Sequence, residues 1–119
     1  MPYYAGVQTV IATHSFDAAV KATRMSETEL DAVIDAVAGD PQGGVVMSGS
    51  GGVRKARLAG RGKGKSGGYR VVWWFGGGDI PVFLLTVFGK GEKDNVSQAE
   101  RNALKRLTAT LRESLGKDR

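Results

Sequence analysis

The feature that most constrains this chain is a pair of apolar runs, Tyr69–Phe75 and Ile80–Phe88, separated by Gly76-Gly77-Gly78-Asp79. The first run is apolar on both faces when laid out as a strand, which places it at the centre of a sheet. The second is another apolar strand, and the Gly/Asp turn between them reads as the reversal of an antiparallel hairpin. Pro81 is tolerable near the start of the returning strand. A sheet of this kind needs cover, and the rest of the sequence supplies it.

Two capping boxes announce helices. Ser26 with Glu29 three residues on opens the first, with Met25 and Leu30 placed as a hydrophobic staple. Leu30, Val33, Ile34 and Val37 then form one apolar stripe, while Asp31, Asp35 and the early glutamates are expected to face water. Gly39-Asp40-Pro41 ends that helix. Ser97 with Glu100 opens the second, which carries Ala103, Leu104, Leu107, Leu111 and Leu115 and ends near Gly116. Phe16, Ala19, Val20 and Thr23 give a further helical spacing over His14–Arg24, preceded by a strand at Gly6–Thr13. Val53–Ala59 reads as a strand and Arg61–Gly68 as a loop. In the glycine- and serine-rich stretch Pro41–Gly52, Val45, Val46 and Met47 are either a short edge strand or an anchor. The order is βααβββα: an α+β fold with a small twisted, mainly antiparallel sheet and helices packed on it. At 119 residues it is expected to be one domain, 1–119.

Several kinds of chemistry are excluded or disfavoured. The chain has no cysteine, which removes disulfides, thiolate zinc sites and a cysteine nucleophile. Its one histidine, His14, sits at a strand–helix junction with no second ligand type at metal spacing, and is expected on the surface or in a cap. The run Gly60–Gly67 contains Gly-Lys-Ser but lacks the Walker A spacing and leads into a strand rather than a helix. Pro2–Thr13 lacks the basic start and long apolar run of a signal peptide, and no apolar stretch approaches the ~20 residues that span a bilayer. The expectation is a soluble, cytoplasmic protein.

Charge placement says more than net charge. Between Pro41 and Gly78 lie seven basic residues, Arg54, Lys55, Arg57, Arg61, Lys63, Lys65 and Arg70, and no acidic one; the chain as a whole is +5, which leaves the remainder at −2. A local basic patch on an otherwise mildly acidic chain points to a polyanion. Its glycines allow close approach of backbone to a phosphate chain. Guanidinium groups suit charge building on phosphate oxygens, and a lysine crowded by like charges is a candidate base or acid. Tyr69, Trp73, Trp74 and Phe75 are candidates for base stacking, although at strand alternation most belong to a core. Composition and spacing stop at binding of RNA or DNA.

The residues themselves go further. Gly51-Gly52-Val53-Arg54-Lys55-Ala56-Arg57, then Gly62-Lys63-Gly64-Lys65-Ser66-Gly67-Gly68-Tyr69-Arg70-Val71-Val72, then Leu85-Thr86-Val87-Phe88-Gly89-Lys90-Gly91-Glu92-Lys93-Asp94-Asn95-Val96-Ser97 resemble the HigB branch of the RelE-type toxins, in order and in separation from about Gly39 to Leu107. The resemblance implies a toxin of a type II toxin–antitoxin system: a ribosome-dependent endoribonuclease that cuts mRNA by 2′-hydroxyl attack, without metal or other cofactor. It implies as partners the ribosome, mRNA and a helix-turn-helix antitoxin similar to HigA, with DNA engaged only through the complex of the two. Carried onto this chain, it implies that Arg70 stabilises the transition-state phosphate and that Lys63, Lys65 and Lys90 complete the catalytic set. Arg54, Lys55, Arg57, Arg61 and Lys93 are then RNA-binding candidates. Gly91 and about Ser97 stand where some RelE proteins carry an arginine and a stacking tyrosine, so Lys93 is the candidate for the charge and Phe88 or Tyr69 for the ring. Two alternatives remain open at this point: a gyrase inhibitor of the ParE type on the same fold, and a non-catalytic RNA- or ribosome-binding module.

Overall fold

In the computed structural model, which describes residues 2–5, 8–58, 68–89 and 96–116, the two apolar runs form the centre of the sheet. Strand β5 (Tyr69–Phe75) pairs antiparallel with β6 (Val82–Phe88). Between them Gly77 and Gly78 adopt positive φ, and the Ile80 N–H closes the turn on the Gly77 carbonyl. Pro81 lies just before β6. The β5–β6 register slips between Val72↔Thr86 and Trp73↔Leu84, which leaves Leu85 as an extra residue in β6.

Around this hairpin the sheet has six strands in the order β1-β2-β6-β5-β4-β3. Strand β4 (Arg54–Leu58) flanks β5, and the two-residue β3 (Val45–Val46) forms one edge. On the other side β2 (Gln8–Ala12) runs parallel to β6, and β1 (Pro2–Ala5) pairs antiparallel with β2. The N-terminal region therefore holds two strands where the sequence suggested one. A four-residue segment that opens on proline and carries no polar/apolar alternation gives no period to detect. The question left at Pro41–Gly52 resolves as both alternatives: Val45 and Val46 form the exposed edge strand, and Met47 beside them is buried.

The helices cover both faces. On one side α1 (His14–Thr23) and α2 (Glu27–Gly39) pack Phe16, Val33, Ile34 and Val37 against Val10, Val71, Trp73 and Leu84. On the other, α3 (Gln98–Gly116) sets Leu104, Leu107, Leu111 and Leu115 against Val53, Val72, Trp74 and Leu85. The alternation is visible along β5, where Tyr69, Val71 and Trp73 join the first core and Val72 and Trp74 the second. Both capping boxes are present: the Ser26 and Ser97 hydroxyls accept from the N–H of Glu29 and Glu100, whose carboxylates accept in return. The buried Thr108 hydroxyl, in contact with the carbonyls of Ser50 (3.4 Å) and Lys105 (3.0 Å), ties α3 to the turn before β4. His14 is exposed at the start of α1, with Thr13 as the cap.

One expectation about α2 is overturned. Asp31, Asp35 and Glu27 face water, but Glu29 is only 7 % exposed. Its carboxylate accepts from the Ser26 N–H and also, at 3.0 Å, from the Tyr69 hydroxyl of β5. The periodicity of α2 could not foresee a donor 40 residues away. Among the described residues no helix is long and apolar enough to cross a membrane.

Candidate nucleic-acid interface

The basic residues divide by strand parity. Val53 points into the α3-side core, so Lys55 and Arg57, two and four residues on, share that face. Arg70, two residues before Val72, shares it as well. Arg57 and Arg70 are paired directly across the β4–β5 ladder, and Lys55 is paired with Val72. Side chains so paired have Cβ atoms about 5 Å apart. Arg57 is exposed, and Lys55 and Arg70 are half-buried. Two arginines are thus neighbours across the ladder, and guanidinium groups suit the oxygens of one phosphate or of neighbouring phosphates.

Arg54 takes the opposite face, across from Trp73. Its Nη1 donates to the carbonyls of Gln42 (2.6 Å) and Gly43 (3.2 Å), which holds the loop after α2 against the sheet. Trp73 Nε1 secures the same loop by donating to the Pro41 carbonyl at 2.9 Å. The structure therefore separates Arg54 from Lys55, Arg57 and Arg70. Strand alternation carried that signal in the sequence, since 54 and 57 differ in parity.

Arg61, Lys63, Lys65, Lys90 and Lys93 lie outside the described residues. Their points of departure do not: Leu58, where β4 ends, pairs with Tyr69, where β5 begins, and Phe88, where β6 ends, pairs with Arg70. Both connecting segments, 59–67 and 90–95, leave the sheet from the same end, beside the Arg57/Arg70 pair. Neither ring offered for stacking stands open there. Tyr69 is 7 % exposed and Phe88 is 9 % exposed, each packed in a core. Burial first, then the hydrogen bond and negative charge of Glu29, push the Tyr69 phenol pKa above its ordinary value.

The sheet also separates charge. Residues 14–40 carry six acidic and two basic side chains, and Asp17, Glu27, Asp31, Asp35 and Asp40 among them are exposed. On the other side α3 adds Arg101, Lys105, Arg106 and Arg112 against Glu100 and Glu113. These charges lie far from Arg57 and Arg70 in the sequence, and only the fold brings α3 to the face that carries that pair. Arg112 has a structural contact too: its guanidinium lies 5.1 Å from the Trp74 ring centroid.

Fold and charge together define a small α+β protein whose sheet divides an acidic helical layer from a basic one. Residues 8–118, nearly the whole chain, match the family described as the RelE toxin of the RelE/RelB toxin–antitoxin system. The chain belongs to the RelE toxin family, whose members pair with an antitoxin.

Proposed function

We propose that this RelE-family toxin is a ribosome-dependent mRNA endonuclease of the HigB-like branch. It acts in the cytoplasm and is held inactive by a helix-turn-helix antitoxin similar to HigA, with DNA engaged only through that complex. The observation that carries the reading is the Arg57/Arg70 pair, set on one face at the sheet end from which both lysine-bearing segments depart.

In the reaction the substrate's 2′-oxygen attacks the adjacent phosphorus. A 2′,3′-cyclic phosphate forms, the bond to the 5′-oxygen breaks, and that oxygen leaves with a proton. Arg70 meets the charge that builds on the non-bridging oxygens. Lys63, Lys65 and Lys90 supply the base, the acid and further positive charge. Lys55, Arg57, Arg61 and Lys93 hold the RNA backbone. Arg54, already engaged with two loop carbonyls, secures the fold beneath them.

Induction in cells should arrest translation and leave cut ends in translated mRNA, mapped by primer extension. Arg70→Ala should lower cutting by about 10²–10³-fold, the usual cost of removing a transition-state charge partner, while fold and antitoxin binding persist. Arrest of translation without cut ends refutes the proposal, as does the appearance of gyrase–DNA breaks, which would favour the ParE-type reading.

A further inference from the structure

We propose that Glu29, on the α1/α2 side of the sheet, is a positioning residue for Arg70 on the other side, acting through the Tyr69 hydroxyl. The role assigned to Arg70 rests on the endonuclease reading; the anchor itself rests on the geometry.

Capping does not explain why Glu29 is buried. The Ser97–Glu100 box at the start of α3 does the same work with its bonds exposed to solvent. Glu29 is instead drawn into the core, where one carboxylate oxygen accepts from both the Ser26 N–H and the Tyr69 hydroxyl at 3.0 Å. Removing a carboxylate from water is costly unless donors meet it. The donors that meet it include a backbone amide at a helix N-terminus and a phenol, the second a charge-assisted bond. A phenylalanine at position 69 would fill the same apolar space, so the hydroxyl adds orientation rather than volume.

Orientation is what this strand end requires. Tyr69 is the first residue of β5, paired with the last residue of β4, where the ladder is most prone to open. The next pair is Arg57↔Arg70, and like charges directly opposite push strands apart. With its ring packed and its hydroxyl held by α2, Tyr69 fixes the strand's position and twist at that point. The Cα of Arg70 follows at about 3.8 Å, with its side chain on the opposite face. Glu29 lies on the other side of the sheet from that face, and its link to Arg70 runs through Tyr69.

The test compares Tyr69→Phe, Glu29→Gln and Arg70→Ala with the unaltered protein. One measurement is single-turnover cleavage and affinity on mRNA-programmed ribosomes; the other is NMR relaxation of the Arg70 Nε–H in the free protein. Tyr69→Phe should slow cleavage about tenfold, as expected for a reacting group displaced by less than 1 Å, with ribosome affinity changed less than about twofold. The Arg70 signal should gain mobility in the same variant. Glu29→Gln keeps an accepting oxygen and should hold the rate within about threefold. The proposal is overturned if Tyr69→Phe leaves both rate and Arg70 mobility unchanged. It is also overturned if rate, affinity and melting temperature fall together in both variants, since that describes a general loss of fold. An unaltered protein that cuts nothing, with Arg70 still loosened by Tyr69→Phe, would refute the endonuclease reading and leave the anchor standing.

Discussion

Arg54 and Arg57 lie three residues apart on one strand, carry the same charge, and should fail in opposite ways. Arg54 Nη1 donates to the Gln42 and Gly43 carbonyls at 2.6 and 3.2 Å, the first bond exposed and the second partly buried. A hydrogen bond from a charged donor contributes about 1.5–3 kcal/mol, and solvent competition reduces the exposed one, so Arg54→Ala should cost about 2 kcal/mol. For a chain of this size each kcal/mol moves the midpoint by roughly 3–6 °C, which gives a fall in Tm of about 6–12 °C. Arg57 is exposed and faces a like charge at Arg70, so Arg57→Ala should leave stability within about 0.5 kcal/mol. Binding reverses the order. In salt titrations of RNA affinity, loss of one phosphate contact lowers the slope of log K against log salt by about 1 for Arg57→Ala, and Arg54→Ala leaves it unchanged. Calorimetry and salt-titrated RNA binding on the two variants measure both effects. An Arg54→Ala protein that melts normally but loses salt dependence would refute the assignment by strand face.

Other perturbations read single features. Ser26→Ala removes the acceptor for the Glu29 N–H and should cost about 1 kcal/mol in denaturant unfolding. Gly51 has φ +81°, and a methyl group there would meet Thr108 Oγ1 of α3; Gly51→Ala should cost about 2–4 kcal/mol and alter the fluorescence of Trp74. Gly39→Ala, at the end of α2 where a methyl group meets nothing within 4 Å, should instead stabilise by about 0.4–1 kcal/mol. Because the folded pKa of Tyr69 lies above its unfolded value, its contribution is fully present below about pH 10 and is lost as pH rises through the folded value. The stability of the unaltered protein should therefore fall with alkali more steeply than that of Tyr69→Phe; parallel curves would contradict the raised pKa.

Much of this is legible in the amino-acid sequence. The run Tyr69–Phe75 emerged as a strand with the same limits, since an apolar stretch of that length between glycines has few alternatives. Both capping boxes formed because their bonds close within three residues and need no tertiary partner. The parallel pairing of β2 with β6 was not legible, because it depends on which edge of the hairpin the N-terminal strand finds. Nor was the slip at Leu85, since a continuous apolar run looks the same in either register.

The candidate site divides along the same line. By itself the sequence determined that a basic, glycine-rich stretch follows an acidic helical region, because charge and composition are local properties of the chain. Strand parity already set Arg54 apart from Arg57; only the tertiary structure decided that Arg57 and Arg70 share a face and that α3 adds its charge to it. It alone paired the buried Glu29 with Tyr69. Faces and distant partners are set by how strands register and which helix covers which side, and those choices are made by the whole core at once.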